Sequence, residues 1–145
     1  TGDLNRALAY FMKMHHVLKG KVDDHLDIYF KQSSIEVTSI DIARIGAVIA
    51  NDGKNLFTGE ELIPRHIVQI AKTFMVTCGM YNASGEFAIN VGIPAKSGVG
   101  GGILAVVPNK YGIGVVGPAL DEKWNSIAGV KVLKDLSEEL NFSIF

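Results

Sequence analysis

The residues that could do chemistry gather in one stretch, Gly92-Ile93-Pro94-Ala95-Lys96-Ser97-Gly98-Val99-Gly100-Gly101-Gly102-Ile103-Leu104. It holds an amine at Lys96, a hydroxyl at Ser97 and a glycine cluster behind them. Glycine-rich loops can cradle phosphate, but this one fits neither common form. The dinucleotide-binding fingerprint needs glycine where Ile103 stands. The P-loop ends in Gly-Lys followed by Ser or Thr, whereas Gly53-Lys54 is followed by Asn55. The cluster also leads into an apolar run that reads as a strand, so no helix N-terminus is placed to receive an anion. Taken alone, it signifies close strand packing or a bulge.

The remaining candidates are sparse. Of His15, His16, His25 and His66, only the first two are adjacent, and on a helix they point about 100° apart. There is no His-Glu-x-x-His, and Cys78 has no second cysteine beside it. No metal centre and no cofactor are expected. A lone, apolar-flanked thiol reads as a buried small hydrophobe and fits a reducing cytoplasm. Asn82-Ala83-Ser84 and Asn141-Phe142-Ser143 match glycosylation sequons, but without a secretory signal both read as chance.

The elements that must position these residues follow from periodicity and caps. Asp3 reads as an N-cap, with Leu4, Ala7, Leu8, Phe11 and Leu18 at helical spacing and Gly20 as the stop. Asp23 and Asp24 open a second helix carrying Leu26, Tyr29 and Phe30. Thr38-Ser39-Ile40-Asp41 is a capping box for a third, with Ile42, Ile45, Val48 and Ile49 on its stripe and Asn51-Asp52-Gly53 ending it. Pro64 suits a first helical residue; Ile67, Ile70, Ala71 and Phe74 define a fourth helix ending near Gly79. Residues 81–93 suit a site-forming connection. The apolar runs 102–107 and 112–116, around the turn Pro108-Asn109-Lys110-Tyr111, read as a hairpin covered on both faces, with a third strand from Pro94 to Val99. Asp121 and Trp124 fall in a loop, and Val130, Leu133, Leu136 and Leu140 in a last helix. The class is α+β.

Composition narrows the function. The chain has 145 residues, a formal net charge of −1 and 48% hydrophobic residues, which suits one domain with a sizeable core. Its charges are scattered, so a nucleic-acid partner is not expected. No apolar run approaches the ~18 residues of a membrane span. The chain opens at Thr1-Gly2-Asp3 on a helix-start signal without a Met. With a sheet of two or three strands whose apolar edges need covering, this reads as part of something longer.

The run from Lys96 to Ile103 resembles the signature of the bacterial-type glutaminases, which share the fold of penicillin-binding proteins and serine β-lactamases, with a Lys-Ser/Thr-Gly triplet on a strand lining the site. Asn5-Arg6-Ala7-Leu8-Ala9-Tyr10, Leu26-Asp27-Ile28-Tyr29-Phe30, Cys78-Gly79-Met80-Tyr81 and Pro118-Ala119-Leu120-Asp121 with Asn125-Ser126 are also similar to family segments, in the same order. The resemblance covers essentially the whole chain. It implies that residues 1–145 are the C-terminal part of one glutaminase catalytic domain, mainly helical over 1–80, with site loop, antiparallel strands and final helix over 81–145.

The family hydrolyses L-glutamine to L-glutamate and ammonia through an acyl-enzyme on the serine of a Ser-x-x-Lys motif. The residues three after Ser33, Ser34, Ser39, Ser84, Ser97, Ser126 and Ser137 are Glu36, Val37, Ile42, Phe87, Gly100, Gly129 and Leu140, and Ser143 has none. The resemblance therefore implies a nucleophile in a preceding N-terminal half and a silent isolated chain. It makes Asn5 a ligand for the substrate's amino-acid head group and Tyr29 a pocket residue. It makes Tyr81 a catalytic and substrate-binding tyrosine near the reacting centre. It makes Val99 the catalytic residue whose backbone N–H holds the oxyanion and contacts substrate. Lys96 would support the site's electrostatics. It further implies a cytoplasmic homo-oligomer, often a tetramer. Without the family, Tyr29 reads as half-buried packing and Asn5 as a helix-start residue. The competing readings are a penicillin-recognising serine hydrolase, which the three glycines after the triplet disfavour, and a non-catalytic binding or assembly fragment.

Overall fold

The chain divides after Glu36. The computed structural model describes residues 2–145, Thr1 lying outside them, and they form two units, one ending at Glu36 and the other beginning at Val37. In the first, helix α1 (Asp3–Met14) and helix α2 (Val22–Ser33) enclose a small apolar cluster of Ala9, Val22 and Leu26, backed by Leu18 and Phe30. Arg6 pairs with Asp23 at 3.3 Å, and its guanidinium lies over the Phe30 ring.

Asp3 is not the N-cap. Gly2, with φ 68°, holds that position, and Asp3 becomes the first helical residue, where a carboxylate complements the helix dipole. The helix also stops earlier than Gly20. His16 turns left-handed (φ 60°), and the His16 and Val17 N–H groups bond back to Lys13 and Met12 carbonyls at 3.0 and 2.9 Å. Leu18 therefore packs from a loop, and Leu4, Leu8 and Phe11 are exposed, with Ala9 the buried residue of α1.

The second unit is built on a three-stranded antiparallel sheet. Strands β1 (Ala95–Ser97), β2 (Gly102–Val107) and β3 (Tyr111–Val116) lie in the order β1-β2-β3, with Lys96 opposite Leu104 and Ala105 opposite Ile113. One face carries Ile103, Ala105 and Val107 into the main core with Phe87, Val91, Ile93, Leu133 and Phe142. The other receives helix α3 (Ser39–Ala50). Gly112 and Gly114 make that contact possible. A Cβ at Gly112 would overlap the Ala47 nitrogen, and one at Gly114 would overlap the Ser39 carbonyl. The helix answers with Ala43, Gly46, Ala47 and Ala50, flanked by Ile42 and Ile49, which meet the sheet as expected. Ile45, expected on the stripe, is exposed.

The Thr38 capping box forms: its hydroxyl accepts from the Asp41 N–H at 3.2 Å, and its own N–H donates to Asp41 at 2.9 Å. Helix α4 (Arg65–Cys78) follows Pro64, which is the N-cap rather than the first helical residue because its ψ of 137° is extended. Val68 and Met75 are the buried positions of α4, while Ile67, Ile70 and Phe74 are exposed. Residues 81–93 contain a 3-10 turn (Tyr81–Ala83) and helix α5 (Ser84–Asn90). Helix α6 (Ile127–Leu140) starts three residues before Val130. Buried Ser126 caps the Gly129 N–H at 3.1 Å and donates to Gly117 O at 2.7 Å. Leu140 is exposed, and the core-facing residues of α6 are Val130, Leu133 and Leu136. The class is α+β. Among the described residues, no helix is long and apolar enough to cross a membrane.

Candidate active site

β1 sorts its side chains by pleat. Ala95 and Ser97 face inward and are buried, and Lys96 points out. The Ser97 N–H donates to Gly79 O at 3.1 Å, stitching the end of α4 to β1. Its hydroxyl reaches the same carbonyl at 3.4 Å and is itself buried. That enclosed, engaged hydroxyl is poorly placed for nucleophilic attack.

The chain then turns at Met80 and Tyr81. Tyr81 takes a left-handed conformation (φ 51°) and is 41% exposed. The Lys96 Nζ stands 4.5 Å from the centre of that ring and donates to Ser97 O. An ammonium over a phenol face is attracted by the ring quadrupole. Although Lys96 as a residue is exposed, its amine is tucked against ring and carbonyl. That desolvation holds it below the ordinary lysine value of 10.5, with Cys78 opposing the shift. Cys78 lies at the exposed end of α4, not in the core as expected; its thiol reaches Phe74 O at 3.3 Å.

The loop after β1 is closed by Gly98 N–H to Gly102 O and Gly101 N–H to Gly98 O, both 2.9 Å. Neither bond uses the intervening residues. Among the described residues, the N–H groups of Val99 and Gly100 have no acceptor, and Val99 is 66% exposed. Free N–H groups at an accessible strand end can receive a developing negative charge.

Asn5 and Tyr29 line one groove of about 340 Å³ in the first unit, with Leu8, Met12, Leu18 and His25. The two residues assigned to the substrate's head group and pocket are thus brought together there. Tyr81, Lys96 and Val99 belong to the second unit. A cavity of about 520 Å³ beside Met80, Phe87, Asn125 and Val130 is lined by none of them. Sequence reasoning missed two residues at Tyr81: Ser84 and Asn125, both buried and bonded to the Met80–Tyr81 backbone. In the sequence Ser84 figures in a sequon and in the search for Ser-x-x-Lys, and Asn125 in a segment similar to the family. Among the described residues, no three His, Cys, Asp or Glu side chains gather as metal ligands would.

The sequence pattern of the family described as "Glutaminase" matches residues 1–145. A Clostridium botulinum glutaminase is 63% identical over 145 residues, covering 100% of this chain and 48% of its own length. Glutaminase 2 of Clostridium perfringens has the same identity and coverage. The chain thus spans about half the length of the curated relatives it matches. A crystal structure of the covalent complex between the Bacillus subtilis glutaminase YbgJ and 5-oxo-L-norleucine superposes with a TM-score of 0.97 at 47% identity. It covers 100% of this chain and 52% of that one.

Proposed function

The chain belongs to the glutaminase family, and on that premise we propose that it is the C-terminal part of a catalytic domain hydrolysing L-glutamine to L-glutamate and ammonia. The observation that carries the reading is the family match over all 145 residues. The Lys96–Tyr81 contact and the free Val99 N–H support it.

The chemistry proceeds by an acyl-enzyme. A serine from the N-terminal half of the same domain attacks the substrate carboxamide carbon, and a lysine of its Ser-x-x-Lys motif takes the hydroxyl proton. The Val99 N–H donates to the oxyanion of the tetrahedral intermediate. Tyr81 passes a proton to the departing amine, and ammonia leaves. Water then attacks the ester carbonyl and gives its proton to the Tyr81 phenolate, while the lysine ammonium returns a proton to the serine oxygen as L-glutamate leaves. Asn5 and Tyr29 hold the substrate's amino-acid head group. The Lys96 ammonium adds positive potential beside the Tyr81 ring. That a Bacillus subtilis relative forms a covalent complex with 5-oxo-L-norleucine supports a nucleophile of this kind. The domain takes the β-lactamase-like fold and works in the cytoplasm as a homo-oligomer, a tetramer in this reading.

The test is ammonia release from L-glutamine by the protein containing this segment and by the isolated chain. The first should turn over and the second should not, since no Ser-x-x-Lys occurs here. Glutamine hydrolysis by the isolated chain, or its absence from the intact protein, would overturn the reading.

A further inference from the structure

Bulky residues rarely take a left-handed backbone, because the side chain crowds the following carbonyl. Among the described residues, six non-glycine positions do so, and five of them are His16, Asp52, Asn109, Trp124 and Asn141. The sixth is Tyr81. The phenol and the indole are the outliers in this group, and one buried side chain ties them together. Asn125, next to Trp124 and fully buried, donates its amide to Met80 O at 3.2 Å. Its second amide hydrogen goes to Lys123 O at 3.2 Å, and its N–H to Asp121 at 2.9 Å. A flipped amide would set its oxygen against two carbonyls, so its orientation is determined.

Ser84 completes the arrangement. Its buried hydroxyl accepts from the Met80 N–H at 3.0 Å and donates to Tyr81 O at 2.8 Å. Both polar groups of Met80 and the Tyr81 carbonyl are therefore bound by side chains. A strained conformation persists only when its surroundings over-determine it, and here the surroundings are these two residues. We propose that Ser84 and Asn125 are positioning residues: they hold the Met80–Tyr81 backbone so that the Tyr81 phenol stands beside the Lys96 ammonium, and so set the rate of the proton transfer Tyr81 performs. The proposal rests on the reading of Tyr81 as that proton donor.

The test is a double-mutant cycle in the intact enzyme. Ser84→Ala removes one hydroxyl and leaves the helix-compatible backbone. It should lower kcat on the order of tenfold, as small misplacements of reacting groups do, with KM changed less than about twofold. Ser84→Thr, which keeps the hydroxyl, should restore most of the loss. In a Tyr81→Phe background, Ser84→Ala should have no further effect, because nothing remains to be positioned. An unchanged kcat in Ser84→Ala, or an equal loss in both backgrounds, would overturn the proposal in favour of a plain stabilising bond. Should the alanine variant not fold, Ser84→Cys, of nearly the same shape but weaker hydrogen bonding, is put through the same cycle. If Tyr81→Phe by itself keeps near-normal turnover, the proton-donor role fails first and separately.

Discussion

Replacing Val99 by proline or alanine separates what its backbone does from what its side chain does. Proline deletes the N–H. The bonds that close this loop come from the Gly98 and Gly101 N–H groups, so the substitution breaks no internal hydrogen bond. Its fixed φ falls on an exposed loop, and the restriction on the preceding residue falls on Gly98, the most permissive type. Alanine keeps the N–H and trims two methyl groups from a side chain that is already 66% exposed. About a third of ~1.6 kcal/mol is then at stake, roughly 0.5 kcal/mol of stability. Loss of one oxyanion donor, by contrast, typically costs ~10²–10³ in turnover. The expectation in the intact glutaminase is near-normal kcat for Val99→Ala and a loss of two to three decades (~10²–10³) for Val99→Pro, measured as glutamate production. L-glutamate binding by calorimetry and the circular dichroism spectrum should be retained in both. If alanine is as impaired as proline in a folded, product-binding enzyme, the isopropyl group matters and the N–H assignment is wrong. If proline retains turnover, the oxyanion is held elsewhere.

Tyr81→Phe removes a hydroxyl from a ring whose face contact with Lys96 survives; turnover should fall about 10²–10⁴-fold with the fold intact, and steady-state kinetics read it. Gly114→Ala places a Cβ against the Ser39 carbonyl and 2.7 Å from the Ala43 nitrogen; overpacking of this kind costs ~1–3 kcal/mol, and a melting temperature equal to wild type would refute the close approach. Ser126→Ala loses a helix cap and leaves Gly117 O without its donor, together ~1–3 kcal/mol, visible as a lower denaturant midpoint. Asp41 is held below its ordinary 3.8, first by the Thr38 hydrogen bonds and then by Arg44. Its contribution is thus present above that value and lost as pH falls through the lower folded one. Asp41→Asn should destabilise α3 at neutral pH and converge with wild type in acid, as followed by amide exchange.

The sequence made some elements legible because a single physical cause fixed them. The Thr38–Asp41 capping box is local chemistry, and it forms as read. The hairpin and the neighbouring short strand were visible because continuous apolar runs around Pro108-Asn109 have few other solutions. The faces of α1 and α4 were not legible. α4 carries two apolar stripes one position apart, Ile67, Ile70 and Phe74 against Val68, Ala71 and Met75. Periodicity cannot choose between them; tertiary packing buries Val68 and Met75. On α3 the large residues Ile42 and Ile49 meet the sheet as read, but Ile45 does not, because two glycines open a close approach that small residues fill. Cys78 misled for a related reason: apolar neighbours in sequence lie on other faces of a helix. At the site, Lys96, Tyr81 and Val99 came from resemblance to a family. The sequence marks Asn125 by resemblance alone and gives no cue to what it or Ser84 bonds, because both bind backbone groups of residues 80 and 81, which only the fold reveals.

β1 has three residues, and its alternation ties the pairing register to the side on which Lys96 stands. Ala95 and Ser97 are enclosed while Lys96 faces out. A slip of one residue in pairing with β2 would exchange the two sets. The amine would be driven into the space now filled by Ala95, at a penalty of several kcal/mol for an unpaired ion. A misaligned molecule would therefore be an unstable species rather than a well-folded but idle one. The register of this three-residue strand is thus guarded by an ion's reluctance to leave water, and the folded population keeps Lys96 on the open side of the strand.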